Sequence, residues 1–275
     1  MGDMPYNSEQ ESKFRALLKR ASLEPFSFLV HVGDIKGQSE PCTDERFEMI
    51  RDIFREQSVP VVYTPGDNEW TDCGQVDDQD PIERLRLIRR LFFEDESTLR
   101  LKELNTHHQN VTPEFSRYPE NYRFSRSGVL FVVVHVAGSA NNRREDDVRS
   151  MEEYRDRNHA NLRFLEESFS LAFSEKASAV TLIIHANPDF EMRSGKGFQD
   201  FLDSLSAFLQ IYQKPVLCIH GDTHQFRQDH PLVDPETNKP FPQFTRLEVF
   251  GSPSVAGVVV TVDPGHPEVF SCKPF

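Results

Sequence analysis

The chain has 275 residues, 37% of them hydrophobic with 23 Phe, and a formal net charge of -13. That length holds one large domain or two small ones, with enough apolar mass for a substantial core. The acidic balance argues against nucleic acid as a partner, and no run approaches the roughly 20 apolar residues of a membrane span.

In chain order, Gly2-Asp3-Met4-Pro5-Tyr6 has the character of a loop beyond a strand, although no strand precedes it. Ser8 with Glu11 is a capping-box pattern, and Phe14, Leu17, Leu18 and Ala21 follow at helical spacing, which predicts a helix over 8–22. Phe28 to Val32 is an apolar run that predicts a buried strand, and Gly33-Asp34 puts a carboxylate on the loop beyond it. Thr43 or Asp44 caps the next helix, with Phe47, Ile50 and Phe54 on one face, and a strand over 59–64 leads to Gly66-Asp67-Asn68-Glu69. This αβαβ series implies right-handed crossovers and parallel strands.

Residues 71–80 read as an acidic loop, and Asp80-Pro81 opens a helix striped by Ile82, Leu85, Ile88, Leu91 and Phe92. The stretch 105–120 is polar and marked by proline, a loop over one face. Segments 121–127 and 129–137 flank Gly128 as a hairpin, the second nearly all apolar and so buried on both faces. It ends in the polar loop Gly138 to Arg144. A charged helix over 146–173 precedes the strand that ends in His185, and a helix follows with Phe198, Phe201, Leu202, Leu205, Phe208 and Leu209. Val216 to Ile219 is a strand leading into His220-Gly221-Asp222-Thr223-His224. Segments 243–249, 256–263 and 267–271 read as further strands, with Asp263-Pro264-Gly265 as a turn. No linker divides the chain, so a single α/β unit is expected.

Four strand ends thus carry Asp34, Asp67, His185 and the Asp222-x-His224 pair. In open α/β sheets, ligands bind beyond the carboxyl ends of the strands, so these groups are expected to share one site. Two residues apart in an extended segment, Asp222 and His224 point the same way, which suits chelation. The bland readings stand beside this one: Gly-Asp is commonly a plain turn, and a terminal Asp3 is commonly disordered. His31 and His135 lie in apolar runs and read as core or supporting residues. His107-His108 and Arg143-Arg144 read as solvated loop charges, with Arg143 or Arg144 the candidates for touching a phosphate. Trp70 is either a loop anchor or a lid. Cys42 and Cys73 each follow a Gly-Asp strand end; a disulfide in an oxidising compartment and two free thiols both remain open. Cys218 reads as a core residue.

Two divalent cations about 3.5–4 Å apart can clamp a phosphate and activate water, and they need carboxylates for charge and imidazoles for geometry. The order of the blocks Gly2-Asp3, Gly33-Asp34, Gly66-Asp67-Asn68-Glu69, Ile184-His185 and Gly221-Asp222-Thr223-His224 resembles the calcineurin-like metallophosphoesterase superfamily. Gly66 to Trp70, reading Gly-Asp-Asn-Glu-Trp, resembles an uncharacterised bacterial-type branch of it. The resemblance implies an α/β fold, an αββα sandwich of two mixed β-sheets flanked by helices, as a single domain over 1–275. It also implies a buried strand before Asp3, so the chain is expected to lack the first strand of that fold. A longer start with a signal peptide would make the protein secreted or periplasmic; if Met1 is the genuine start, a cytoplasmic location is expected.

By the same resemblance, one metal takes Asp3, Asp34 and His224, and the other takes Asp34, Asp67, His185 and Asp222, with Asp34 bridging. The chain departs from the pattern at four positions. Pro5 replaces a histidine, leaving Tyr6 as a candidate oxygen donor. Asp67 replaces an asparagine and Asp222 a histidine, which favours hard ions, so two divalent ions among Mn, Mg, Fe and Ca are expected. Asn68 stands where the pattern has a histidine that meets the leaving group. Asn cannot act as a general acid, and without a substitute such a loss costs about 10²–10⁴-fold. Asn68, Glu69 and His220, with His135 behind them, are the candidate catalytic residues. The expected activity is metal-dependent hydrolysis of a phosphate ester, on a phosphorylated small molecule or a related ester. The alternative is a weak or inactive metal-binding or interaction protein of the same fold. A metal-free hydrolase-like or flavodoxin-like domain finds no Gly-x-Ser-x-Gly elbow and no glycine-rich dinucleotide fingerprint.

Overall fold

The computed structural model describes residues 1–76, 78–95 and 97–275; the expected loop 71–80 therefore includes one position, 77, outside the described residues. Helix Ser8–Ala21 starts where expected, but its cap is Asn7 and not Ser8. Asn7 accepts the Gln10 N–H, and the Gln10 side chain in turn accepts the Tyr6 N–H. Its buried face is Phe14, Leu17, Leu18 and Ala21, and Lys19 and Arg20 stand in the last turn where the helix dipole favours cations. β1 (Leu29–His31) and β2 (Val61–Tyr63) are parallel, joined by helix Asp44–Arg55, which Thr43 caps. Asp80 caps helix Pro81–Arg89, with proline in the first turn.

The remaining strands are β3 (His107–His108), β4 (Tyr122–Arg126), β5 (Val129–Val133), β6 (Ala179–Ile183), β7 (Val216–His220), β8 (Arg227–Asp229), β9 (Phe244–Glu248), β10 (Val258–Val262) and β11 (Phe270–Pro274). Among the described residues, seven of them form one mixed sheet in the order β3-β4-β5-β6-β7-β9-β8. β5, β6, β7 and β9 run parallel, while β3, β4 and β8 supply antiparallel pairings at the edges. β4 and β5 form the hairpin about Gly128, whose φ of 76° suits a residue without a side chain.

Strand alternation divides the core. Val129, Phe131, Val133, Ile183, Leu217, Ile219 and Leu247 face β1, β2 and the helices over them. Leu130, Val132, Val180, Leu182, Val216 and Cys218 face helices Val148–Ser174 and Gln199–Ile211. The arrangement is α/β, layered as expected, but the second β layer is not one mixed sheet. It divides into the parallel pair β1–β2 and the antiparallel pair β10–β11. Met1 to Asp3 lie alongside β1: the Met1 amine donates to Val30 O, Val32 N to Met1 O, and Asp3 N to Gly33 O. On their far side Ser252 N donates to Asp3 O. An apolar groove of about 500 Å³ is lined by Met1, Leu29, Val30, Val258 and Val260.

Two differences from the sequence reading concern polar segments. The 105–120 loop contains β3 and short 3-10 turns, and β8 was not expected, because Arg227-Gln228-Asp229 has no apolar alternation. Cys42 and Cys73 are joined in a disulfide with a Cα–Cα distance of 5.7 Å, tying the loop after β1 to the loop after β2. Among the described residues, no helix is long and apolar enough to cross a membrane.

Candidate metal centre

The two Gly-Asp strand ends meet backbone to backbone. A Cβ on Gly33, at φ 96°, would lie 2.4 Å from Gly66 N, and one on Gly66 would lie 2.1 Å from Asp34 Oδ1. Hydrogen in place of both side chains lets two parallel strands deliver Asp34 and Asp67 to one point. Asp34 Oδ1 accepts the Asn68 N–H at 3.0 Å and lies 3.4 Å from His185 Nε2. Asp67 Oδ1 lies 2.9 Å from the same nitrogen. His185 Nδ1 is 2.7 Å from Val32 O, a carbonyl that can only accept, so Nδ1 carries hydrogen and Nε2 faces the acids. His224 is oriented in the same way: Nδ1 is 2.7 Å from Ser252 O, and Nε2 is 3.5 Å from Asp3 Oδ1. Asp3 Oδ1 accepts the Asp222 N–H at 2.9 Å, while Oδ2 is buried with no hydrogen-bond partner.

These side chains form two overlapping donor groups, Asp3–Asp34–His224 and Asp34–Asp67–His185. In each, the donor atoms lie within 4.8 Å of one another, and Asp34 belongs to both. Asp222 belongs to neither. Its Oδ2 accepts the Asn187 N–H, and its Oδ1, like Asp67 Oδ1, lies within 3 Å of the point where Gly138 would carry a Cβ. The expectation that Asp222 and His224 project alike from an extended segment does not hold. Both have left-handed backbone, φ 77° and 60°, and the resulting turns send His224 toward Asp3 and Asp222 toward Asp67.

Burial sets the electrostatics. It raises Asp3 to about 7 against the pull of His185 and His224, and it raises Asp34 well above the ordinary carboxylate range. Burial also opposes ionisation of Asp67, but hydrogen bonds from His185 and Ser139 overcome it and hold that carboxyl below its usual value. Burial opposes protonation of His185, yet Asp34 and Asp67 raise it well above the ordinary imidazole range. Asp222 is raised by burial. Acids packed this closely repel one another unless protons or cations intervene. The unpaired Asp3 Oδ2, the shared Asp34 and two imidazoles aimed by backbone carbonyls fit divalent ions with oxygen and nitrogen ligands.

The three candidate catalytic residues separate. Asn68 lies at the centre, its Nδ2 3.3 Å from Tyr6 Oη and 3.1 Å from Lys36 O. Glu69 turns under its own loop, where Oε1 accepts from Tyr63 Oη and Gly66 N. His220 leaves β7 on the other face, against Phe190 with Nδ1 on Gly221 O, and burial lowers its pKa to about 3. Strand alternation therefore turns His220 away from the acids. His31 and His135 are buried, as expected of supporting residues. Trp70 is a buried anchor packed with Leu85 and Ala137, with Arg157 over its ring, and not a lid. His108 is not a solvated charge: it stacks on Tyr122 and bonds Pro119 O. Arg143 reaches Lys196 O and Glu145, and Arg144 reaches Thr71 O.

Sequence reading missed two contributors, Ser139 and Arg157. Ser139 Oγ is 2.8 Å from Asp67 Oδ2 and 2.9 Å from Asp72 Oδ1, and so orients both. Ser139 to Asn142 are all left-handed, and Arg157 clamps this turn through Asn141 O, Asn141 Oδ1 and His135 O. The polar loop after β5 was a visible signal for Ser139; Arg157, one charge among many in a long helix, gave none.

The fold is the α/β architecture of dimetal phosphatases. Among solved structures the chain is similar to a dimetal phosphatase from Danio rerio, with TM-score 0.53 and 12% identity over 99% of this chain and 90% of that one. It is similar also to the structure of PhoD, with TM-score 0.57 and 13% identity over 88% of this chain and 54% of that one, so it spans about half of PhoD's length. At such identities the likeness is one of fold. No protein-family model matches the chain, and no curated protein sequence matches it.

Proposed function

We propose that the protein is a metal-dependent phosphoesterase with a dinuclear centre, of the calcineurin-like kind. One observation carries this reading: two buried donor groups share the carboxylate of Asp34. In the proposed assignment Asp3, Asp34 and His224 hold one ion, and Asp34, Asp67, His185 and Asp222 hold the other. Two such ions, when bound, supply polarisation of a phosphate ester and a lowered pKa for water.

The chain's own groups do the rest. Val32 O and Ser252 O fix the tautomers of His185 and His224, and Ser139 holds Asp67. The substrate reaches the centre through an open cleft walled by Tyr6, Gly37, Glu40, Asp72, Gln75 and His224. Asn68 has no proton to give, and its amide hydrogens are directed at Tyr6 Oη and Lys36 O, so esters with good leaving groups, such as aryl phosphates, are favoured.

The experiment is phosphate release from an aryl phosphate with Mn²⁺ or Mg²⁺ added. Turnover should vanish in Asp34→Ala and His185→Ala; undiminished turnover in both would refute the assignment. A second reading has its own support. His220 is turned away, Glu69 is held under its loop and His135 is bonded to Glu120, so each of the three expected substitutes for a proton donor is engaged elsewhere. On that reading the protein binds ions by calorimetry and hydrolyses nothing in a broad ester panel.

A further inference from the structure

Resting on the dinuclear reading, we infer that the Tyr6 phenol oxygen is a fourth side-chain ligand of the ion held by Asp3, Asp34 and His224. Tyr6 Oη stands 3.2 Å from Asp34 Oδ2, 3.2 Å from His224 Nε2 and 3.3 Å from Asn68 Nδ2. His224 gives its ring hydrogen to Ser252 O, so in the neutral ring Nε2 is an acceptor. Asp34 Oδ2, when ionised, is an acceptor as well. A phenol has one hydrogen and cannot serve two acceptors at once, so with Asp34 ionised the three atoms are placed for a cation between them. With a cation among the three atoms, all three become donors to it, and the Asn68 amide supports the phenol oxygen from its free side.

The ring is built into place. It lies edge-on to His224 at 5.6 Å between centroids, and a Cβ on Gly37 would lie 3.3 Å from Tyr6 Cβ and Cγ, so glycine leaves room for it. Tyr6 follows Pro5, whose side chain has no donor, and it adds a hard oxygen to a group otherwise limited to two carboxylates and one imidazole. Six-coordinate ions gain most from that addition. Used as a probe in place of the divalent ion, ferric iron reads the ligand out directly. On binding, the phenol proton leaves to solvent, no electron moves, and the iron–phenolate pair absorbs visible light.

The test titrates the metal-free protein with ferric nitrilotriacetate and, separately, with Mn²⁺ by calorimetry. Wild type should develop a visible charge-transfer band. Tyr6→Phe should lack the band and bind one Mn²⁺ at least about ten-fold more weakly, with the other unaffected. Tyr6→His, which restores a donor of different colour, should regain affinity without the band. Two ions bound by wild type with no band, or a band that persists in Tyr6→Phe, would overturn the role of Tyr6 and leave the dinuclear reading standing. No ion bound by wild type would overturn both.

Discussion

A methyl group on Gly66 would stand 2.1 Å from Asp34 Oδ1 and 2.5 Å from the Asp34 backbone nitrogen, so neither side-chain rotation nor a small backbone shift relieves it. Asp34 must then move, and Asp34 belongs to both donor groups. Gly66→Ala is therefore expected to weaken binding of both ions by at least about ten-fold without removing a ligand, by loss of the support around it. Gly257→Ala is the matched control, since its Cβ would meet nothing nearer than 3.7 Å. Calorimetry with Mn²⁺ checks the pair, with circular dichroism to show that both variants fold. Gly66→Ala binding like wild type would mean that the observed approach of the two loops is not what positions Asp34.

The two loops are also held together covalently. β1 and β2 end in Asp34 and Asp67, and the loops beyond them carry Cys42 and Cys73, whose disulfide spans a sequence separation of 31. A cross-link of that length is worth about 3–4 kcal/mol in the chain-entropy account. The double variant Cys42→Ser, Cys73→Ser should lose about that much in urea unfolding and keep its helix content. A loss below about 1 kcal/mol would show that contacts other than the bond hold the loops.

Elements such as these were legible where burial writes a period into the sequence. Val129 to Val133, Ala179 to Ile183 and Val216 to His220 are buried along their whole length and stood out as largely apolar runs, broken only by Thr181 and closed by His220. β8 was not legible, because it is held by charge: Asp229 pairs with Arg246, and Arg227 pairs with Glu248. The Gly-Asp ends could be read because glycine marks a close approach. The left-handed turns at Ser139 to Asn142, Asp222 and His224 could not, because the left-handed positions themselves are not glycines and Arg157, which holds the first of these turns, comes from the following helix. The face on which His220 emerges followed from alternation along β7, but reading it required knowing which face of the sheet carries the acids.

At the scale of the whole molecule, the layers are pinned by buried polar groups that respond to acid. Glu120, Arg89 and His135 form one cluster, and Arg157 ties the His135 carbonyl to the turn that carries Ser139. Burial depresses His135 to about 4, although Glu120 draws it upward, and burial depresses His31, in the other layer, to about 3. A histidine held neutral in the folded state takes up a proton near 6.5 once unfolded. As pH falls below 6.5 the unfolded chain therefore binds more protons, and stability declines until the folded pKa is reached. For His135 that window runs from 6.5 down to about 4 and corresponds to roughly 3 kcal/mol. Glu120 works in a lower range. Burial opposes its ionisation, Arg89 overcomes that and lowers it to about 2, and its contribution is lost only as pH falls below 4.5. Between pH 7 and 5 the histidines should thus dominate among these buried groups. Urea unfolding of wild type and His135→Gln at both pH values isolates the term. The variant should start less stable at pH 7 and decline less on acidification, by about 0.7 of a proton's worth of slope averaged over that range. Equal slopes in the two proteins would mean that His135 is already charged in the fold, and that its pairing with Glu120, not its burial, sets its state.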